Sequence, residues 1–542
     1  MGPYDTASQQ LLAIDPGYPR PEVLMSETTA PYKIEKSVKF DRQLRLWAAS
    51  GQAALESAHI CLLNATATGT EILKNLVLPG IGAFTIVDGK TVTEDDLAIN
   101  FFLEDTCLNQ SRAQKVSEYL NEMNEDVKSA FLQKDPVEVI ASDPAYFQQF
   151  SLVIASNLHQ EPLLALAKTL DQARIPLVAT HTVGFQSMLR LQVEEHTIVE
   201  SHPESLVDLR LDCPWPELAA PAESLNLEAM DSMEHSHVPY VNLLLYYLQK
   251  FKSENDGRIP STFPEKQKLK EMIKSGMRTA DEENFEEAIG VVWRACQATH
   301  IPSDVKAVFA DPLCQNLTGQ STDFWILARS VADFVSSPTE GNGLLPLPGV
   351  VPDMKADSSG YVQLQTLYRK KAAEDVTAVT AHVREHLKAV GRPVDSISAD
   401  DTASFCKHAA WIKVMRYRSI EEEYASSPKT EKIASALQDS EDLMSWYLAL
   451  RAHFAIDSST VNASTLSDAA HKIASLAEPN ENVTKACEET ARANGGELHN
   501  IAALMGGIAA QEVIKVITRQ YVPADNTVLF EGIGSRSQTW VM

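Results

Sequence analysis

Residues 58–88 contain the pattern that most restricts the fold of this chain: a strand, a loop, a helix and a second strand in immediate succession. The apolar run 58–63 leads into the loop 64–69, and apolar residues then recur at helical spacing. A second apolar run, 83–88, closes in Asp88. Elements of these lengths in this order predict a βαβ unit of the dinucleotide-binding type.

The alternation of strand and helix patterns continues to about residue 180. A helix near 113–123 is followed by a strand at 151–155, a helix at 162–173 and a strand at 175–179. This order predicts a mostly parallel sheet with helices on both faces, an α/β fold.

Beyond about residue 200 the pattern becomes helical. Apolar residues between 376 and 390 step by three and four along one helix face, and a proline- and glycine-rich stretch at 338–352 predicts a loop. Near the C-terminus, a small-residue helix at 501–515 and a strand at 527–530 indicate a return to the first domain. We therefore predict a discontinuous α/β domain, divided as follows: a flexible extension at 1–35, a first part at 36–200, a mainly helical insertion at 201–490 and a C-terminal part at 491–542.

The charge and cysteine content exclude several classes of protein. Lysine and arginine total 47 against 73 acidic residues, a net charge of −26 that would repel a nucleic-acid backbone. The 7 cysteines form no Cys-x-x-Cys pair, which favours a reduced, intracellular compartment. No apolar stretch approaches the roughly 18 residues expected of a membrane span. We expect neither nucleic acid nor membrane as a partner.

The loop 64–69 lacks most of the glycines that a phosphate-binding turn requires. Such a turn needs glycine where the backbone passes close to phosphate oxygens, because a Cβ atom would intrude there. Only Gly69 remains, and the last glycine of the motif serves the packing of helix against strand. The loop is either a nucleotide site that accepts threonine and alanine or a shell kept for its architecture, and the missing glycines favour the second interpretation.

Several segments carry a family resemblance. The stretches 40–47, 74–80 and 506–515, with Asp88, resemble in order and spacing the adenylation domains of ubiquitin-like-modifier activating enzymes. The resemblance covers the chain from about residue 40 to the C-terminus and implies a Rossmann-like fold of the ThiF/MoeB adenylation type. Three further stretches are most similar to the adenylation-inactive regulatory subunits that serve Nedd/Rub-type modifiers, namely 64–71, 200–203 and 324–329.

The positions that hold ATP in active members of this family are altered here. By resemblance, Ile99 replaces an arginine that meets the ATP phosphates, Arg112 corresponds to a nucleotide-facing lysine, and Lys90 replaces an acidic residue. The position of a magnesium-binding aspartate falls in 155–157, which contains no carboxylate. The resemblance therefore implies that this chain binds no cofactor or metal, and that ATP and magnesium are held by a catalytic partner subunit.

The nucleophilic and basic residues also follow the regulatory pattern. The thioester-forming cysteine of catalytic subunits precedes a threonine, and no cysteine here does so. Cys213 has no neighbouring base and is interpreted as a structural or incidental thiol. The resemblance assigns Arg42 a catalytic role in trans, at the partner's ATP site, where it would stabilise charge on the phosphates. The alternative for Arg42 is a structural tie of the N-terminal segment, and Gln43 and Arg45 are weaker candidates.

Two other groups of residues are open to both a functional and a structural interpretation. An apolar face at 324–335 is either core or a surface that binds the partner subunit, and its members are Phe324, Trp325, Ala328, Val331, Phe334 and Val335. His235 and His237 could begin a metal site, but structural histidines are the more frequent case.

The resemblance implies a non-catalytic subunit of a heterodimer that activates a Nedd/Rub-type modifier and passes it to a conjugating enzyme, in the cytoplasm and nucleus. Two alternatives remain open at this stage. One is the equivalent subunit for the modifier SUMO, and the other is a self-sufficient nucleotide-dependent adenylyltransferase.

Overall fold

The computed structural model describes residues 36–201, 207–426 and 428–542. The predicted extension at 1–35 and part of the stretch 200–203 lie outside the described residues.

Eight strands of the described chain form one sheet: β1 (His59–Leu63), β2 (Ala83–Val87), β3 (Lys128–Leu132), β4 (Leu152–Ser156), β5 (Leu177–Val183), β6 (Gln186–Gln192), β9 (Thr527–Glu531) and β10 (Arg536–Trp540). Their order in the sheet is β10-β9-β6-β5-β4-β1-β2-β3. Strands β1 to β5 are parallel to their neighbours, whereas β5–β6, β6–β9 and β9–β10 are antiparallel. The prediction of a mostly parallel sheet is thus confirmed for the part of the sheet that runs from β5 to the edge strand β3. Two further strands, β7 (His196–Ile198) and β8 (Lys413–Met415), form a separate antiparallel pair.

Helices cover both faces of the sheet, as the alternating pattern predicts. Those of the N-terminal part are α1 (Lys36–Lys39), α2 (Asp41–Ser57), α3 (Ala67–Val77), α4 (Glu94–Ile99), α5 (Arg112–Met123), α6 (Pro136–Ser142) and α7 (Gln160–Gln172). Helices α2, α3 and α5 share one core with strand residues such as Leu62 and Phe84, and α6 and α7 bury the opposite face against Leu63 and Val153.

The middle of the chain is helical and packs into two cores of its own. Its helices are α8 (Pro216–Glu223), α9 (Ser232–His235), α10 (Tyr240–Glu254), α11 (Phe263–Ser275), α12 (Glu283–Gly290), α13 (Ser303–Ala310), α14 (Pro312–Gln315), α15 (Asp323–Ser336), α16 (Ser358–Ala389) and α17 (Ala399–His408). The predicted apolar stripe lies on α16, where Val379, Val383 and Leu387 are buried.

The last helices pack on the sheet and not on the helical cores. They are α18 (Thr430–Ala436), α19 (Met444–Ala455), α20 (Ala463–Ile473), α21 (Glu481–Ala493) and α22 (His499–Thr518). Residues of α18 to α21 share a core with Met188 of β6, Leu529 of β9 and Trp540 of β10. The helical cover of the sheet therefore begins well before the predicted boundary at residue 490.

Helix α22 joins the C-terminal residues to the first βαβ unit. It packs directly on α3, and a Cβ atom at Gly506 would lie 2.5 Å from Cβ of Glu71. Among the described helices, α22 is long and apolar enough to span a membrane, but 50% of its apolar window is buried inside the chain. Its length and composition contradict the expectation that no apolar stretch approaches a membrane span, and burial against α3 accounts for the apolar residues.

The two adjacent glycines of α22 offer a matched test of this contact. We expect Gly506→Ala to lower the free energy of unfolding by about 1–3 kcal/mol, because the new methyl group meets the backbone of α3. A methyl group at Gly507 would meet no atom of another element within 4 Å. We expect Gly507→Ala to raise the stability by about 0.5–1 kcal/mol, the usual gain in a helix interior. Urea unfolding of the two variants measures both, and equal effects would contradict the close approach at Gly506.

Candidate functional site: a nucleotide-type pocket filled by the chain itself

The predicted loop 64–69 lies where a nucleotide-binding turn would: residues 64–66 connect β1 to α3, and residues 67–69 form the first turn of α3. Asn64 adopts a left-handed conformation, with φ of 65°, and its side-chain amide donates to the carbonyl of Ser156 at 3.0 Å. Thr66 caps α3 by accepting from the backbone N–H of Gly69 at 3.2 Å. At Gly69 a Cβ atom would lie 2.9 Å from the carbonyl oxygen of Asn64. This remaining glycine therefore serves close packing, as the sequence predicts.

The N-terminus of α3, which receives phosphate in nucleotide-binding proteins, holds a carboxylate of this chain. Glu497, just before α22, accepts from the backbone N–H of Ala67 at 2.8 Å and from the Thr68 hydroxyl at 2.7 Å. It also accepts more weakly from the backbone N–H of Thr68 and from the amide of Asn157, each at 3.4 Å. This buried carboxyl group occupies the place, and the N–H donors, that a ligand phosphate would take.

Burial raises the pKa of the Glu497 carboxyl above its ordinary value, and the hydrogen bonds from Thr68 and Ala67 offset part of that rise. Glu497 is not among the site residues predicted from the sequence. Gly495 and Gly496 precede Glu497, and α22 follows it. An acidic residue just before a helix that packs on α3 is the sequence signal that could have identified Glu497.

The acidic end of β2 is paired with an arginine. Asp88 is fully buried and accepts from Nε of Arg112 at 2.7 Å and from the backbone N–H of Ala65 at 2.8 Å. Arg112 also forms an ion pair with Asp96 at 2.8 Å. Although burial acts in the opposite direction, the Arg112 guanidinium holds the pKa of Asp96 below its ordinary value. The guanidinium that could face a phosphate is thus shared between two carboxylates.

The other altered positions are also engaged within the fold. Asn157 accepts from the backbone N–H of Thr182 at 2.8 Å, and the amide of Asn100 donates to the Thr70 hydroxyl at 3.1 Å. Within the described ranges, no group of three or more His, Cys, Asp and Glu side chains is arranged to hold a metal ion.

Arg42 lies on the first turn of α2 and is exposed to solvent. Beyond it, α2 is kinked at Trp47 and Ala48, and Gln520 fixes the kink by donating to the carbonyl of Trp47 at 2.9 Å. No ion pair or side-chain hydrogen bond joins Arg42 to another described residue, whereas Arg45 pairs with Asp41 at 3.0 Å. The alternative role of Arg42 as a structural tie thus has no polar side-chain contact among the described residues to support it.

The apolar face of α15 does not lie on the surface. All six of its predicted partner-binding residues are buried in one helical core with α16 and α17. Their exposures run from 0% to 9%, for Phe324, Trp325, Ala328, Val331, Phe334 and Val335. The interpretation of this face as a partner-binding surface is therefore corrected to core packing, because the sequence pattern alone cannot distinguish a core face from an interface.

The remaining candidates have structural contacts. His235 is buried, stacks on Phe285 and shares a hydrogen bond of 2.6 Å with Glu282, whereas His237 is exposed and bonds to the carbonyl of Met233. Burial, and then the adjacent Asp212, raise the pKa of Cys213 to about 11. A thiol with that pKa is not activated as a nucleophile at neutral pH.

Comparison with known proteins identifies relatives along nearly the whole chain. The ThiF family model matches residues 40–539. The chain is 43% identical to the NEDD8-activating enzyme E1 regulatory subunit of Xenopus laevis over 93% of this chain and 98% of that protein. It is 42% identical to the Danio rerio protein of that name, over 94% and 99% respectively, and 39% identical to the regulatory subunit AXL of Arabidopsis thaliana, over 93% and 99%.

The contact of Glu497 with α3 leads to a prediction about stability. We expect Glu497→Ala to lower the free energy of unfolding by about 1–3 kcal/mol, because buried N–H groups of α3 lose their acceptor. The exposed Glu488 on α21 supplies the matched control, and Glu488→Ala should leave the stability within about 0.5 kcal/mol. Urea unfolding measures both variants, and a loss in Glu497→Ala no larger than that of the control would contradict the capping role of Glu497.

The raised pKa of Glu497 predicts a pH dependence of opposite sign to that of a paired carboxylate. The folded state binds the proton more tightly than the unfolded state, so the contribution is present below pH 4.5 and is lost as the pH rises through the folded pKa. The stability of the natural chain relative to Glu497→Gln should therefore increase as the pH falls from about 7.5 to about 5. Urea unfolding at both pH values measures the difference, and a constant difference would refute the assignment.

Proposed function

The chain belongs to the ThiF family and, within it, to the NEDD8-activating enzyme E1 regulatory subunits, and from this premise we propose that it acts as the non-catalytic half of a heterodimer. The catalytic partner binds ATP and magnesium, adenylates the C-terminal glycine of the NEDD8-type modifier and takes it onto its own cysteine. A conjugating enzyme of the same pathway then receives the modifier. This activity takes place in the cytoplasm and nucleus.

The observation that carries this proposal is the carboxylate of Glu497 at the N-terminus of α3. The donors that a phosphate would need there are already taken by this carboxyl group, and Arg112 is committed to Asp88 and Asp96. These contacts support the proposal that the chain binds no nucleotide of its own. The self-sufficient adenylyltransferase is disfavoured on the same ground, and the names of the relatives do not favour the SUMO alternative.

Reconstitution from purified subunits tests the division of labour. We expect ATP-dependent thioester formation on a NEDD8-type modifier only when this chain and its catalytic partner are mixed, with the thioester on the partner. The same mixture supplied with SUMO should form none. An adenylate or thioester produced by this chain alone would overturn the proposal.

We include in the proposal a trans role for Arg42 at the partner's ATP site. An arginine delivered across a subunit interface stabilises the charge that develops on transferred phosphates, and an exposed guanidinium is available for that contact. The kink at Trp47 and Ala48, held by Gln520, gives the first turn of α2 a direction independent of the rest of the helix.

The variant Arg42→Ala should leave heterodimer assembly unchanged and slow modifier-dependent exchange of pyrophosphate into ATP by about a hundredfold. Arg45→Ala is the matched control, because Arg45 lies one turn further along α2 and pairs with Asp41. The exchange rate and the elution volume of the complex are measured together. A normal rate in assembled Arg42→Ala enzyme would exclude the trans role.

A further inference from the structure

Strand β3 forms one edge of the sheet and has a neighbouring strand on one side only. It pairs with β2, and among the described strands none pairs with its other side. Four of its five residues are exposed, and the side chain of Phe131 is 44% exposed. At the opposite edge, Arg536 and Gln538 of β10 bond to the segment 441–443. The β3 edge is therefore the more open of the two.

The backbone of β3 presents hydrogen-bonding groups to this open side. The N–H of Lys128 and the carbonyl of Leu132 bond to the residues that flank β2. In a parallel pair of strands, the backbone groups of successive residues point alternately toward the neighbour and away from it. The N–H and C=O groups of Ser129 and Phe131 therefore point away from β2. A strand edge of this kind is a template for the addition of a further strand.

A groove runs between this edge and α5. Phe131 lies in register with Ile86, which faces the core that contains α5, so Phe131 projects on the same side of the sheet. Residues 129–131 line the groove on the strand side, and the lining on the helix side is Ser117, Glu118, Asn121 and Glu122. The side chains of an added strand that project on this face would lie over the groove, beside the ring of Phe131.

The charge of the groove is negative. Among the described residues that line it, the charged ones are Glu118 and Glu122. Glu118 also pairs at the surface with Lys115 at 2.7 Å, and Lys128 projects on the opposite face of the sheet. On the other side of α5, Glu122 lines a smaller depression whose other charged residue is Glu104. The surface on both sides of α5 therefore complements a segment that carries positive charge.

We propose that an extended segment of a partner protein adds to the sheet at the edge of β3, with lysine or arginine side chains over the groove. Its backbone bonds to the N–H and C=O groups of Ser129 and Phe131, which is strand addition. The ring of Phe131 packs against its side chains, and Glu118 and Glu122 attract its basic groups. The surface shares no residue with the contact between Glu497 and α3, so the proposal goes beyond the function proposed above.

Fluorescence anisotropy of a labelled peptide, titrated with the full chain, tests the proposal. The peptide has about eight residues, in which lysine alternates with threonine. A second peptide has glutamate in place of each lysine. We expect saturable binding of the lysine peptide and none of the glutamate peptide. Absence of saturable binding of the lysine peptide, or equal binding of both peptides, would overturn the proposal.

A proline at the edge separates strand addition from attraction by charge. Ser129→Pro removes the outward N–H and keeps the ladder with β2, because proline is tolerated on an edge strand where the N–H faces solvent. This variant should bind the lysine peptide about threefold to tenfold more weakly. Ser129→Thr keeps the N–H and should bind normally. Equal affinity of the two variants would refute strand addition, and melting temperatures confirm that both are folded.

A charge reversal connects binding to the groove. Glu122→Lys should weaken binding of the lysine peptide by about tenfold, because it places a like charge beside the added strand. Glu488→Lys on α21 changes the net charge equally and should have little effect. Equal losses would show attraction by net charge alone and would refute the site. Sedimentation of the chain without peptide should show a monomer, and a dimer that Ser129→Pro dissociates would identify a second copy as the occupant and overturn the proposal.

Discussion

The contact between α3 and α22 is the joint on which the rest of the α/β domain depends. Gly506 lets the two helix backbones approach closely, and Glu497 satisfies the first N–H groups of α3 from the segment that leads into α22. Helix α22 also contacts β6 and is followed by β9, which pairs with β6. A helix end that binds phosphate in related folds has here become a point of attachment between two distant parts of the sequence.

The loss of nucleotide-binding features is accompanied by a gain of internal contacts. Where glycines would leave room for phosphates, Thr66 and Thr68 bond to Ser156 and Glu497, and Arg112 bridges Asp88 and Asp96. Each of these side chains satisfies a buried partner that a ligand would otherwise satisfy. The degenerate site is therefore a compact polar core, which the absence of glycine alone does not reveal.

Local sequence patterns predict most of the central elements, but they do not identify contacts between residues that are far apart in the sequence. The strands β1, β2, β4, β5 and β9 and the helix α22 follow from periodicity, because their apolar residues face a core whichever elements supply it. The capping role of Glu497 depends on residues more than four hundred positions away, and no local pattern encodes that pairing. The face of α15 shows the same limit, since Phe324 and Val331 have one spacing whether they meet their own core or a partner. Strands β3, β6 and β10 of the sheet were not predicted, and β6 pairs with β9 across the helical region.

The antiparallel edge of the sheet has a consequence for the synthesis of the chain. Strand β6 ends at Gln192, and its partner β9 begins at Thr527. At a translation rate of about 5–20 residues per second, the ribosome needs roughly 17–70 seconds to supply the missing strand. During that interval the edge of β6 that later pairs with β9 is not yet covered by β9. Strand edges without a partner can pair with other chains. A chaperone that covers this edge would therefore protect the nascent chain most during this interval. The interval ends only when the last strands leave the ribosome.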